Sequence, residues 1–250
     1  MRLSFETDAG IGTRATLGVI VLEADETLEP EFSRVMALDG VALYHSRVPM
    51  VPEVRPDTLA RMEADLPAAA RMFPPAPAFD VIGYGCTSAA TVIGSEVVAA
   101  AVQKARPTAQ VTDPLAAIIA AGRALGVRRL GFLTPYIPQL SARMGERLCD
   151  AGFEIAAFGS FEEADDRVVA RITEAAIGDA ARRLAVGADA VVISCTNLRT
   201  LRIIPEIEAA TGRPVISSNM ALAWHMLRLA GIDDALPQFG QLFERPLTLA

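Results

Sequence analysis

The chain has 250 residues, 52% of them hydrophobic and 21% charged, with a formal net charge of -7. That is enough material for one large core or two small ones, and an acidic balance without any basic run excludes a nucleic-acid surface, leaving small molecules as the expected partners. Three cysteines and two histidines, scattered and without CxxC, HxH or HExxH spacing, exclude a disulfide framework and give no support to a metal site.

The opening MRLSFETDAGIG has acidic residues where a secretory signal carries an apolar core. No apolar run approaches the roughly 20 residues that span a bilayer, so a cytoplasmic protein without membrane association is expected. Strands are predicted at 15–22 and at 41–48, the second holding His45. Asp57 opens a helical stretch through Leu59, Met62 and Leu66. Residues 71–77 hold three prolines and read as a loop feeding a strand at 79–85. That strand runs into Cys86 and is followed by a helix over 91–105. After a strand at 109–112, Asp113-Pro114 starts a helix with Leu115, Ile118 and Ile119, closed by Gly126. Strands at 129–134, 153–158, 188–194 and 214–217 complete the series, with a helix predicted over 201–210 after Cys195. Cys149 falls on an amphipathic helix and His225 on the terminal one, beside Trp224 and Met226. Both histidines and Cys149 read as packing residues. Apolar runs alternating with Ala-rich helical stretches give an α/β class, parallel sheets flanked by helices.

An internal repeat organises the chain. FDVIGYGCTS (79–88) aligns with ADAVVISCTN (188–197), so that strand, cysteine and threonine recur together, Cys195 lying 109 residues (195 − 86) after Cys86. Two pseudo-symmetric α/β halves are expected, residues 1–112 with 218–250 returning to them and residues 113–217, with the site in the cleft between.

Each cysteine of the repeat ends a buried strand just before a helix, where parallel α/β proteins bind ligands. Backbone N–H groups there seat a carboxylate and favour thiolate over thiol, and Thr87, Ser88, Thr196 and Asn197 add short polar donors. An anionic substrate is implied. A free thiol has a pKa of about 8.5, so a modest downward shift would make it a base or nucleophile at neutral pH. Two facing thiols can move protons on opposite faces of a carbon acid, giving racemisation. Alternatively, one adds to a double bond, the new single bond rotates, and elimination interconverts cis and trans alkenes. The competing reading of any free cysteine is core packing. GYGCTS also resembles an incomplete dinucleotide fingerprint, but its third glycine is missing and it falls late in the chain, which disfavours an NAD-dependent dehydrogenase.

At GYGCTSAATVIG, ISCTNLRTL, GVIVLEADETLEPEF and the Leu133-Thr134-Pro135-Tyr136 segment, the chain resembles the aspartate/glutamate racemase superfamily, in the branch holding maleate cis-trans isomerase, arylmalonate decarboxylase and the ectoine-utilisation protein A group. The resemblance implies two α/β halves, no cofactor, a small carboxylate substrate and Cys86 and Cys195 as the catalytic pair, the first attacking the alkene in maleate isomerase and the second serving as acid or base. It matches Tyr136 to a substrate-binding tyrosine. Asp25 and Asp166 stand where maleate isomerases hold the dicarboxylate with asparagine amides, which disfavours maleate and suits a substrate carrying an amine or amidine. The phrase EADET is similar to the ectoine-utilisation group. Arylmalonate decarboxylase has glycine at the first cysteine position, so two cysteines favour an isomerase or racemase, with maleate isomerisation and decarboxylation as alternatives. A non-catalytic binding protein on the same fold is the contrasting expectation. Proteins of this shape often form homo-oligomers.

Overall fold

The computed structural model describes residues 1–50 and 61–248. Its eight described strands form two parallel sheets. β1 (Ala15–Leu22), β2 (Val41–Val48), β3 (Val81–Gly85) and β4 (Gln110–Thr112) lie in the order β2-β1-β3-β4. β5 (Arg129–Thr134), β6 (Glu154–Ser160), β7 (Ala190–Ile193) and β8 (Val215–Ser217) lie in the order β6-β5-β7-β8. The same strand order twice is the internal repeat in three dimensions, with β3 equivalent to β7. All eight residues of β1 are buried, as expected of a central strand covered by helices on both faces.

The aspartate of each repeat has a structural task. Asp80 Oδ2 accepts the Thr16 N–H at 2.8 Å, and Asp189 Oδ2 accepts those of Arg128 and Arg129 at 3.1 and 2.8 Å. Each therefore ties the start of its cysteine-bearing strand to the neighbouring central strand, which sets the register that both cysteines inherit.

The described helices are α1 (Leu28–Val35), α2 (Leu66–Arg71), α3 (Thr87–Ile93), α4 (Ser95–Gln103), α5 (Pro114–Ala124), α6 (Pro138–Asp150), α7 (Asp166–Val169), α8 (Glu174–Leu184), α9 (Ile204–Thr211) and α10 (Ser218–Leu229). The expected helix start at Asp57, with Leu59, lies outside the described residues. Downstream of it, Met62–Ala64 makes a 3-10 turn before α2. Asp113 caps α5 as expected, accepting the Leu115 and Ala116 N–H groups at 2.8 and 3.1 Å. α10 packs on β3, β4 and α5, so the chain returns to the first sheet after completing the second.

Four expectations are corrected. The helix after Cys86 begins at Thr87, not at 91, because Cys86 is itself the N-cap, and it is broken into α3 and α4 at Gly94, whose φ is +96°. The helix after Cys195 begins at Ile204, not at 201, because the intervening turn is held by side chains from elsewhere in the chain. Cys149 is exposed on α6 and fills no core. His45 is exposed on the edge strand β2, whereas His225 does pack, its Nδ1 2.8 Å from Thr112 Oγ1 with burial lowering its pKa to about 4.

Gly83 and Gly85 lie inside β3 and not in a phosphate-cradling loop. A Cβ on Gly83 would meet Met226 Sδ at 2.5 Å, and one on Gly85 would meet Leu28 Cδ1 at 2.6 Å. The glycines let α10 and α1 close on the strand, which accounts for the fragment of a dinucleotide fingerprint by packing alone.

Candidate active site

Cys86 and Cys195 sit at the carboxyl ends of the equivalent strands β3 and β7, 2% and 3% exposed. Cys86 Sγ accepts the Ala89 N–H at 3.3 Å and lies 3.4 Å from Ser88 Oγ. Cys195 Sγ accepts the Asn197 N–H at 3.3 Å. Cys195 has φ +152°, a region that residues with a Cβ rarely occupy, and such strain persists only where the surroundings impose it. Here its N–H is fixed by donation to Ser218 Oγ at 3.0 Å.

Ser218 joins the two motifs, since its hydroxyl also lies 2.8 Å from Thr87 Oγ1. Thr196 Oγ1 reaches back to the Gly85 carbonyl at 3.4 Å. The Asn197 amide is a brace: Oδ1 accepts the Glu26 N–H at 3.0 Å, and Nδ2 donates to Asp166 Oδ2 at 2.9 Å. The Tyr136 phenol lies beside Cys195, and burial first, then the proximity of both cysteines, pushes its pKa well up.

Asp25 and Asp166, 3% and 5% exposed, lie against this cluster and bear on both thiols. Asp25 Oδ1 accepts the Thr27 and Leu28 N–H groups at 2.8 and 2.7 Å, a turn that launches α1. Its Oδ2 makes no hydrogen bond of good geometry, although the Thr196 hydroxyl, whose Oγ1 lies 3.4 Å from the Gly85 carbonyl, is close enough to pull the Asp25 pKa down against the larger push of burial. Asp166 opens α7, after Asp165 has capped it. The nine residues singled out from the sequence (Asp25, Cys86, Thr87, Ser88, Tyr136, Asp166, Cys195, Thr196 and Asn197) are thus all buried around the two strand ends.

Burial overturns the expected thiol acidity. Removal from water pushes Cys86 up to about 11, against the pull of Ser88 and the Ala89 N–H and with a further push from Asp166 and Asp25. At that value roughly one thiol in ten thousand is ionised at pH 7, so the resting group is neutral. Cys195 is pushed well up for the same first reason and then by Asp166, although Tyr136 and the Asn197 N–H pull it down. Asp166 is raised to about 7 by burial and then by Asp25.

Sequence reading missed Glu31, Ser218 and Asn219. Buried Glu31, on α1, accepts the Thr200 and Leu201 N–H groups at 2.7 and 2.8 Å and the Asn219 Nδ2 at 2.8 Å. Asn219 Nδ2 also donates to the Thr196 carbonyl at 2.8 Å. One carboxylate of the first half thereby holds the turn after Cys195, replacing the helix start found after Cys86.

Among the described residues, no group of three or more His, Cys, Asp or Glu is arranged to hold a metal, and no helix is long and apolar enough to cross a membrane.

The chain is 26% identical over 240 residues to the maleate isomerase of Pseudomonas putida, covering 90% of this chain and 96% of that protein. It is 36% identical over 126 residues to the arylmalonate decarboxylase of Bordetella bronchiseptica, covering 49% and 52%. Among solved structures, a cysteine-to-serine mutant of the Nocardia farcinica maleate cis-trans isomerase, carrying a covalently bound succinylcysteine intermediate, superposes with a TM-score of 0.83 at 28% identity over 92% of this chain and 98% of that one. The arylmalonate decarboxylase family model matches residues 65–243. On a match spanning well over half its length, the chain belongs to the arylmalonate decarboxylase family of enzymes.

Proposed function

We propose that the chain is a cofactor-independent isomerase of a small carboxylate in which Cys86 and Cys195 act as a pair. The observation that carries this reading is the equivalence of their positions, at the ends of β3 and β7 and joined through Ser218. The succinylcysteine in the Nocardia relative supports a covalent route. In that route Cys86 releases its proton to solvent as Sγ adds to one alkene carbon, and it regains one when it leaves as thiolate at the end of the cycle. Cys195 protonates the neighbouring carbanion carbon, the new C–C single bond rotates, and Cys195 takes a proton back as the C–S bond breaks. On a saturated α-carbon the same pair removes a proton from one face and supplies one to the other. Tyr136 faces the reacting sulfurs and orients the bound carboxylate. Decarboxylation, the chemistry in the family's name, is the second reading, supported by the Bordetella relative. The EADET phrase alone supports a place in ectoine or hydroxyectoine breakdown, which loss of growth on either compound after deletion of the gene would test.

The test is turnover in heavy water with the wild type and with Cys86→Ala and Cys195→Ala, offered cis and trans enoates, single enantiomers of α-substituted carboxylates and an arylmalonate. Deuterium at the α-carbon of a racemised product indicates proton transfer between faces. Alkene isomerisation with little retained label indicates addition and elimination. Turnover unaffected by either substitution overturns the two-cysteine mechanism, and release of carbon dioxide establishes decarboxylation.

A further inference from the structure

Asp25 and Asp166 are two buried carboxylates set beside the cysteine pair, and among the described residues neither has a cation paired with it, Arg47 acting on Asp25 only from a distance. Asp25 Oδ2 makes no hydrogen bond, and Asp166 Oδ2 is held by the neutral amide of Asn197. The nearby cations are engaged elsewhere. Arg47 pairs with Glu29 at 2.8 Å and donates to the Leu22, Glu23 and Asp25 carbonyls, Arg167 pairs with Asp165, and Arg171 pairs with Glu26 at 2.8 Å. Among the described residues, no Lys, Arg or His nitrogen lies within 4.0 Å of either carboxylate. A buried carboxylate without a cation or a full set of donors is costly, and a site that keeps two of them is complementary to a ligand cation.

Resting on the isomerase reading above, we propose that the substrate carries a protonated amine as well as its carboxylate, and that Asp25 and Asp166 seat the amine. Asp25 Oδ2 accepts one N–H of the ammonium and Asp166 a second. The same contact readies the chemistry. Burial first, and both carboxylates in addition, raise the thiols, so a cation placed among them offsets the carboxylates' share of that push and moves the thiols toward thiolate when substrate is bound. A dianion such as maleate meets the opposite field.

Matched probes isolate the charge. Maleate, cis-but-2-enoate and cis-4-aminobut-2-enoate share one cis-alkene carboxylate and end in an anion, a methyl group and a cation; L-2-aminobutyrate and L-2-hydroxybutyrate make a saturated pair. Binding is measured by calorimetry on the wild type, Asp25→Asn, Asp166→Asn and the double variant. The wild type is expected to bind at least one amine at least about tenfold more tightly than its matched partner, and each asparagine is expected to shrink that ratio, the double variant most. Should Asp25→Asn fail to fold through its turn to α1, Asp166→Asn decides. Binding of maleate in preference to both amines, no binding of either amine, or a ratio untouched by the asparagine substitutions overturns the proposal. Turnover by the two cysteine variants reports separately on the isomerase reading. An amine preference with turnover that survives loss of both cysteines sinks that reading and leaves the amine seat standing. Cysteine-dependent turnover with no amine preference does the reverse.

Discussion

Thr87 and Ser218 share a hydrogen bond of 2.8 Å between their hydroxyls, and the same Ser218 oxygen accepts the Cys195 N–H at 3.0 Å. A single hydroxyl at the start of α10 thus couples the residue after Cys86 to the strained backbone of Cys195. Ser218→Ala leaves that buried N–H without an acceptor, at a cost of about 1–3 kcal/mol. Urea unfolding is expected to show this loss, and kcat is expected to fall more than KM rises. Wild-type stability and kcat together would show that Ser218 is replaceable.

Glu31 holds the turn after Cys195 from the opposite half. Glu31→Gln keeps its size but turns an amide donor toward the Thr200 and Leu201 N–H groups or toward the Asn219 amide. With at least one of these buried contacts becoming donor against donor, a destabilisation of about 2–3 kcal/mol is expected. Limited proteolysis should then cleave first within residues 196–203. An unchanged cleavage pattern would assign the hold on this turn to other contacts.

Stability should fall as pH rises. Burial raises Asp166 to about 7 and also raises Asp25, Glu31 and Asp113, so the folded chain holds these protons more tightly than the unfolded one. For a carboxyl raised in this way, the stabilisation is fully present below the ordinary carboxylate range and is lost as pH passes through the folded value. For Asp166 the window runs from about 4 to about 7 and involves on the order of 2–4 kcal/mol. Tm is expected to decline across this window, and Asp166→Asn to flatten the decline. A Tm that rises across it in the wild type counts against the burial described here.

Cys149 is the exposed thiol, while Cys86 and Cys195 are enclosed. Brief alkylation by iodoacetamide followed by peptide mass mapping should label Cys149 first without loss of turnover, and Cys149→Ser should behave as wild type. Early labelling of Cys86 or Cys195 in the folded, unliganded enzyme would contradict the enclosed site.

The repeated strand, cysteine and threonine were legible because the whole signal lies within ten residues, and the doubled sheet order followed from it. Asp80 and Asp189 belong to the same phrase, though only their hydrogen bonds to the neighbouring strands show their purpose. Ser218 and Glu31 were hidden because their partners lie 131 and 169 residues away, at Thr87 and Thr200, and neither residue carries a local motif. The helix start after Cys86 was placed too late because cysteine is not a usual capping residue, and its Sγ takes a role normally filled by oxygen. Thiol acidity was misjudged for a related reason. Local N–H groups can be read from the sequence, whereas the depth of burial that outweighs them belongs to the tertiary structure.

The central claim is that Cys86 and Cys195 work as one unit, and its most direct test is the turnover number of Cys86→Ala, Cys195→Ala and the double variant on a substrate the wild type converts. Groups that act as a unit are strongly non-additive. Each single variant is expected to lose about a thousandfold or more in kcat, with the double variant scarcely worse than either. Full turnover in one single variant, or losses that multiply as for independent sites, would contradict the account.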